Sequence, residues 1–230
     1  MRYERSLPLL GESGLARLRR ARVLLLGLGG VGSYTAEALA RAGIGHLTVV
    51  DGDVYQMSNL NRQLGALSST IGCKKTDTTK ARILEIDPEI TVDTVDRHLT
   101  GEDLPPLLDQ SFDIVLDAID DLPVKIELAA CCHDRHLPLI TCLGTGNKWD
   151  PTLLQITDIA KTHTDPLARR MRKALRDRGI DRLQVIFSPE EPKKPFAAEQ
   201  HSAPASLPFV PPSAGILLAK AGVTLLLETV

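Results

Sequence analysis

The stretch Gly27-Leu-Gly-Gly-Val-Gly-Ser33 decides the fold through what flanks it. An apolar run, Val23-Leu-Leu-Leu26, leads into it, and an alanine-rich, helix-favouring segment, Tyr34 to Ala42, follows. Strand, tight glycine turn and helix in that order make a phosphate cradle. Glycines such as Gly27, Gly29 and Gly30 let the backbone approach a phosphate, and the helix N-terminus offers free N–H groups and a positive dipole end. A second apolar run, Leu47-Thr-Val-Val50, ends in Asp51, 19 residues beyond Gly32, where a carboxylate can accept hydrogen bonds from ribose hydroxyls. The pattern reads as a nucleotide site, and the turn alone does not choose between NAD and ATP.

Working outward, strand-length apolar runs recur at Ile90–Val95, Ile114–Leu116 and Leu137–Ile140. Helical patterns lie between and after them, at Ser33–Ala42, Lys74–Ile86 and Pro123–His136, and a leading helix over Leu7–Ala21 breaks near Gly11 or Gly14. This alternation predicts a Rossmann-like, doubly wound α/β fold: a mostly parallel sheet, helices on both faces, and ligands at the carboxyl ends of the strands. Residues 1–150 form the nucleotide-binding core. Residues 151–230 form a C-terminal α+β extension of the same domain: a strand at Leu153–Ile156, a basic helix at Asp165–Arg178, a strand at Leu183–Phe187 and a long loop at Ser188–Pro212.

Composition narrows the function. A chain of 230 residues with net charge −2 suits one large domain and gives no bulk attraction to nucleic acid or anionic membrane, so any such contact needs a local patch. Four cysteines without a Cys-x-x-Cys pair are no disulfide framework, and with no apolar leader at the N-terminus they suit a reducing cytoplasm. The last apolar stretch, Ala214–Val230, has 17 residues including Lys220 and Glu228, which predicts a packed helix rather than a membrane span.

The charged residues favour ATP. Asp51, Asp117 and Asp120 fall at or just past strand ends, on the edge that carries the glycine turn, and Arg62 and Lys75 follow the second strand. A dehydrogenase needs only the amides and the ribose acid. A triphosphate attacked at its α-phosphorus also needs cations, and a carboxylate to hold Mg²⁺, to stabilise the leaving pyrophosphate. Taken singly, Arg62 and Lys75 are ordinary surface charges, and Asp120 is an ordinary helix cap.

These residues resemble the carboxylate-activating adenylating enzymes that include ubiquitin-activating enzymes and their bacterial relatives. The matching pattern is Arg2-Tyr-Glu-Arg5, Gly27-Leu-Gly-Gly-Val-Gly32, Asp51-Gly-Asp53, Ser58-Asn-Leu-Asn-Arg-Gln63, Gly72-Cys-Lys-Lys75 and Asp117-Ala-Ile-Asp120. The resemblance implies that Asp51 binds the ribose, that Asp53, Asn59, Arg62 and Lys75 complete the ATP site, and that Asp120 holds Mg²⁺. It implies a homodimer as well, with Arg5 reaching into the neighbouring protomer's site, so that Arg5, Arg62, Lys75 and Asp120 form the catalytic set.

The second half is similar to the tRNA threonylcarbamoyladenosine dehydratase branch of that family, through Gly144-Thr-Gly-Asn-Lys-Trp-Asp-Pro-Thr152, Asp158-Ile-Ala-Lys-Thr162 and Asp165-Pro-Leu-Ala-Arg-Arg-Met-Arg-Lys-Ala-Leu-Arg176. That branch activates the threonyl carboxylate with ATP, and an internal nucleophile closes a ring with release of AMP. In Asp165–Arg176, Leu167, Met171, Ala174 and Leu175 make an apolar stripe, leaving Arg169, Arg170, Arg172, Lys173 and Arg176 as a candidate tRNA patch. No cysteine follows Cys142, so ring closure directly from the adenylate is expected rather than a thioester route. Cys131, Cys132, His133 and His136 fall on a helix and read as buried thiols beside ordinary histidines. A sulfur-transfer protein and a monovalent cation stay open as a partner and a cofactor. The competing readings are adenylation of the C-terminus of a ubiquitin-like sulfur carrier, whose enzymes often carry Cys-x-x-Cys zinc sites, and a non-catalytic nucleotide-binding scaffold.

Overall fold

Strand residues divide by parity between two apolar layers. In β1 (Arg22–Leu26), Val23 and Leu25 face one layer, and Leu24 and Leu26 face the other. Both faces of the strand are therefore covered, as a central parallel strand requires. The structure is a computed structural model, and it describes residues 2–193 and 204–228.

β2 (His46–Val50), β3 (Thr91–Val95), β4 (Ile114–Asp117), β5 (Leu139–Cys142), β6 (Gln155–Asp158) and β7 (Gln184–Phe187) join β1 in a seven-stranded sheet of order β3-β2-β1-β4-β5-β7-β6. Every pairing is parallel except β6 with β7, which is antiparallel at the edge. One face carries α1 (Leu7–Arg20), α2 (Gly32–Ala42), α3 (Lys75–Ile86) and α7 (Val210–Glu228). The other carries α4 (Leu104–Leu108), α5 (Leu122–Asp134) and α6 (Pro166–Arg176). The strand order reverses between β1–β2 and β1–β4, so the loops after β1 and β4 open a crevice at the carboxyl edge.

Several boundaries differ from the sequence reading. β5 begins at Leu139 rather than Leu137, because His136 turns through a left-handed conformation (φ 53°) and Pro138 has no N–H to give the ladder. β6 begins at Gln155 rather than Leu153, because Asp150 accepts the Thr152 N–H and holds Pro151–Leu153 in a 3₁₀ turn. α1 does break at Gly11, at φ 68°. α7 starts at Val210 rather than Ala214. Pro211 and Pro212 fall in its first turn, where the missing N–H groups would have no intrahelical partner anyway. Of the loop read over 188–212, residues 194–203 lie outside the described residues.

α7 is the 19-residue apolar helix, with mean hydropathy 1.5, and more than half of it is buried against protein. A Cβ on Gly215 would lie 2.2 Å from the Val31 carbonyl, so only glycine lets α7 come this close to α2. Thr35 Oγ1 donates to the Gly215 carbonyl at 3.0 Å across the same contact.

Candidate active site at the carboxyl edge

The glycine turn is fixed by close backbone approach. Gly27 sits at φ +87°, and a Cβ there would meet the Ala118 carbonyl at 2.7 Å. On Gly32, at the first turn of α2, a Cβ would meet the Gly27 carbonyl at 1.7 Å. Over Gly29 the space is open, and the nearest group to a Cβ there is Gln63 Nε2 at 4.0 Å. The buried Gln63 Oε1 has no hydrogen-bond partner among the described residues. An open amide turn at a helix N-terminus, faced by a carboxamide with unused bonding capacity, fits a nucleotide.

Asp51 closes the turn from β2. Its Oδ2 accepts the Leu28 N–H at 2.7 Å, and its Oδ1 accepts the Asp53 N–H at 2.8 Å. Lys75, at the start of α3, reaches the same place. Its Nζ lies 2.6 Å from Asp53 Oδ2 and 3.6 Å from Asp51 Oδ1. The Lys75 side chain is 5% exposed, whereas that of Asp53 is 51% exposed. The ammonium is thus held inside by a partner that water reaches. Arg62 packs its stem against Gly30, where a Cβ would stand 3.3 Å from Arg62 Cγ, and its guanidinium donates to the Ser58 carbonyl and to Asn61 Oδ1, both at 2.9 Å. Asn59 Oδ1 accepts the Gln56 N–H at 3.0 Å. Gly27, Gly29, Gly30, Asp51, Asp53, Asn59, Arg62 and Lys75 therefore share one rim.

The loop after β4 divides its acids. Asp117 is buried and paired with the equally buried Lys125 at 2.8 Å, and its other oxygen accepts the Ile119 N–H. Asp121 caps α5 by accepting the Val124 N–H at 2.9 Å. The capping role that Asp120 had as an alternative belongs to its neighbour. Asp120 is exposed and makes no hydrogen bond or ion pair among the described residues. Nor does any group of three His, Cys, Asp or Glu able to hold a metal occur there. One free carboxylate beside a phosphate cradle fits Mg²⁺, which commonly takes one or two carboxylates and fills its shell with phosphate oxygens and water.

Arg5 is elsewhere. The preceding segment is pinned by Tyr3, whose hydroxyl donates to Asp87 Oδ2 at 2.6 Å and approaches the Ala40 carbonyl at 3.3 Å. Burial and the Asp87 hydrogen bond push the Tyr3 phenol up to about 12. Burial works to raise the Asp87 carboxyl, but the Tyr3 hydroxyl, the Glu89 N–H and Arg19 outweigh it and hold it below the usual range. Ala40 lies in the last turn of α2, an 11-residue helix about 16 Å long whose first turn faces the phosphate cradle. Arg5 is exposed, two residues beyond Tyr3, and so within about 7 Å of it along the backbone.

In the C-terminal half, Lys148 is buried and donates to Asp165 Oδ2 at 2.8 Å and to the Ser188 carbonyl at 2.9 Å. Asp165 also caps α6 through the Ala168 N–H. This junction ties the turn after β5 to the basic helix. On that helix Arg169, Arg170, Lys173 and Arg176 are exposed. Arg172 turns back, donating to the Thr162 carbonyl at 2.8 Å and to Thr162 Oγ1 at 2.5 Å. Burial pushes the thiols of Cys132 and Cys142 up to about 12 and raises that of Cys131, so all three are poor nucleophiles. Sequence reasoning misses Lys125, whose spacing looks like that of any surface lysine; Gln63 and Lys148 lie inside quoted motifs without an assigned part.

This crevice, with its glycine turn, the Asp51 carboxylate and the cations of Arg62 and Lys75, is that of a nucleotide-binding α/β protein of the adenylating kind. The chain belongs to the ThiF family, which matches residues 3–202. It is 42% identical to the Bacillus subtilis tRNA threonylcarbamoyladenosine dehydratase, across 94% of this chain and 91% of that one. The Haemophilus influenzae protein of the same name is 45% identical over 80% of this chain and 68% of its own length. Among solved structures, the Escherichia coli tRNA N6-threonylcarbamoyladenosine dehydratase in complex with ATP superposes with a TM-score of 0.91 at 33% identity, covering 98% of this chain and 93% of that one.

Proposed function

We propose that this protein is an ATP-dependent tRNA-modifying enzyme that adenylates the threonyl carboxylate of threonylcarbamoyladenosine and closes it into a ring, releasing pyrophosphate and AMP. Similarity to the Bacillus subtilis dehydratase along 94% of the chain carries this reading, because it includes the second half that distinguishes the branch. Residues 1–150 act as the adenylation core, and 151–230 carry the face that receives tRNA.

The chemistry follows from the arrangement. A carboxylate is a poor electrophile, so its oxygen first attacks the α-phosphorus of ATP and pyrophosphate leaves. Asp51 accepts from the ribose hydroxyls, the turn at Gly27, Gly29 and Gly30 gives its N–H groups to the phosphates, and Asn59 supports them. Arg62 and Lys75 meet the charge that builds on the leaving group, in a crevice where such contacts are strongest. Lys75 moves between Asp53 and phosphate, which explains why its partner is open to water. Asp120 holds Mg²⁺, which supplies further charge neutralisation when bound. A nucleophile of the same modified base then attacks the acyl adenylate; the attack is intramolecular, which favours it. No thiol need intervene, in keeping with the raised pKa values of the buried cysteines.

Arg5 lies near the far end of α2 from its own cradle, so it acts in trans, and the working unit is a homodimer. Arg169, Arg170, Lys173 and Arg176 contact tRNA phosphates, while Arg172 positions the Thr162 turn beside them. α7 is a core helix, and the enzyme works in the cytoplasm. A sulfur-transfer partner and a monovalent cation are compatible additions.

The deciding experiment is nucleoside mass spectrometry of tRNA bearing threonylcarbamoyladenosine after incubation with protein and Mg-ATP, beside Lys75→Ala. Loss of one water, dependent on ATP and absent in the variant, is expected. An unchanged nucleoside, with ATP–pyrophosphate exchange appearing only when a ubiquitin-like carrier is added, would reassign the enzyme to carrier adenylation. ATP binding with no exchange at all would make it a scaffold.

A further inference from the structure

We infer that Trp149 is a stacking platform for a base of the tRNA substrate, placed one loop away from the carboxylate-activating crevice. The inference rests on the dehydratase reading and adds a recognition residue to it. Trp149 is the only tryptophan in the chain and is 57% exposed. Burying an indole of this size is strongly favourable, so an outward ring on a firmly held backbone calls for a ligand.

That backbone is held on both sides. Lys148 is anchored inward on Asp165 and Ser188, and the N–H groups of Trp149 and Asp150 both donate to the Glu190 carboxylate at 2.9–3.0 Å. Lys193 places its ammonium 5.3 Å from the centre of the ring, as a cation does on one aromatic face. Among the described residues Lys193 is the cation recorded over the ring; the inference puts a base on the opposite face and a neighbouring phosphate at the lysine.

The loop is also wired to the phosphate site. Asn147, at φ 59°, donates its N–H to the Ala205 carbonyl at 2.7 Å and accepts the Ala205 N–H on its side chain at 2.8 Å. One residue on, the Ser206 carbonyl accepts from Asn61 Nδ2 at 2.9 Å, and Asn61 Oδ1 accepts from Arg62. On its other side the Lys148–Asp165 pair joins the same loop to the start of the basic helix. Trp149 thus stands between the cations that face ATP and those that face RNA backbone. A lone aromatic ring with a lysine over it, among polar neighbours, suits an unstacked base better than the broad apolar patch a protein partner needs.

The test uses the single tryptophan as its own reporter. An anticodon stem-loop RNA bearing threonylcarbamoyladenosine is titrated into the full-length protein while indole emission is followed. Dehydration kinetics are then measured for wild type, Trp149→Ala and Trp149→Phe. Saturable quenching by the RNA is expected. Trp149→Ala should raise KM for the RNA roughly 5- to 100-fold, the range of base–aromatic stacking. Its kcat should stay near wild type, its KM for ATP should not move, and Trp149→Phe should recover most of the loss. Unchanged emission together with an RNA KM within about twofold of wild type in Trp149→Ala overturns the inference, against stacking effects of at least about fivefold. So does emission that responds to protein dilution and not to RNA, which would put Trp149 at a contact between copies. A wild-type protein that leaves the nucleoside unchanged fails the dehydratase reading instead, and that outcome is visible before any variant is compared.

Discussion

Three buried lysines reach carboxylates around the same sheet, and they differ in what else their partners do. Lys125 and Asp117 are both fully buried, and Lys148 and Asp165 nearly so, with the spare oxygens of both acids taken by backbone N–H groups. Lys75 is just as buried, but Asp53 is half open to water. The first two pairs are closed and can only hold structure together. The third is open on one side and can exchange its partner for a phosphate. Sequence presents all three as lysines near aspartates; saturation of the bonds separates scaffold from site.

The sharpest way to break this comparison is to remove each ammonium. Lys125→Ala leaves Asp117 charged, buried and unpaired, so a loss of about 3–5 kcal/mol in chemical denaturation is expected. Lys75→Ala leaves a solvated Asp53 and an Asp51 that keeps its two N–H donors, so stability should change by about 1 kcal/mol or less. The same variant should lose about 10²- to 10³-fold in the rate of pyrophosphate release, the scale of one lost charge-stabilising donor. A Lys75→Ala protein that unfolds like Lys125→Ala would show that the open pair is structural after all.

The neighbours Asp120 and Asp121 offer a finer contrast. Asp121 caps α5, so Asp121→Ala should cost about 1 kcal/mol of stability and leave the Mg²⁺ dependence of exchange where it was. Asp120→Asn should do the reverse, with unchanged melting and about 10-fold or more slowing that extra Mg²⁺ partly restores. Equal Mg²⁺ titrations for the two variants would remove Asp120 from the metal site.

How much of this was readable beforehand follows the same division. β1, β2 and β4 and the glycine turn were legible because a buried parallel strand must be an unbroken apolar run and the close approaches at Gly27 and Gly32 admit no side chain. The sequence pattern starts β6 two residues early because an edge strand, Gln-Ile-Thr-Asp, carries no such run and its start is set by a side-chain cap at Asp150. α4, only five residues with two prolines, has no helical period to read. The rim from Asp51 to Lys75 was legible as a set of charges, but its pairings were not. Nothing in the spacing of Lys125 from Asp117, or of Lys148 from Asp165, announces that burial will bring them together.

The basic helix carries the smallest and most discriminating effect. By composition Arg170 and Arg172 are equivalent; in the structure Arg170 is exposed, and Arg172 spends its guanidinium on Thr162. Arg170→Glu should therefore weaken tRNA binding and flatten the dependence of log affinity on log salt by about one unit, the counterion yield of one phosphate contact. Its melting temperature and ATP–pyrophosphate exchange should not move. Arg172→Gln should cost roughly 1–2 kcal/mol of stability, since it strips a charge-assisted hydrogen bond from a part-buried site, and leave the salt slope nearly as it was. Matching salt slopes for the two variants would mean that Arg172 leaves Thr162 to meet RNA, so that the bonds around Arg172 in the free protein hold a latent phosphate contact, as proposed for those around Lys75 at the nucleotide edge.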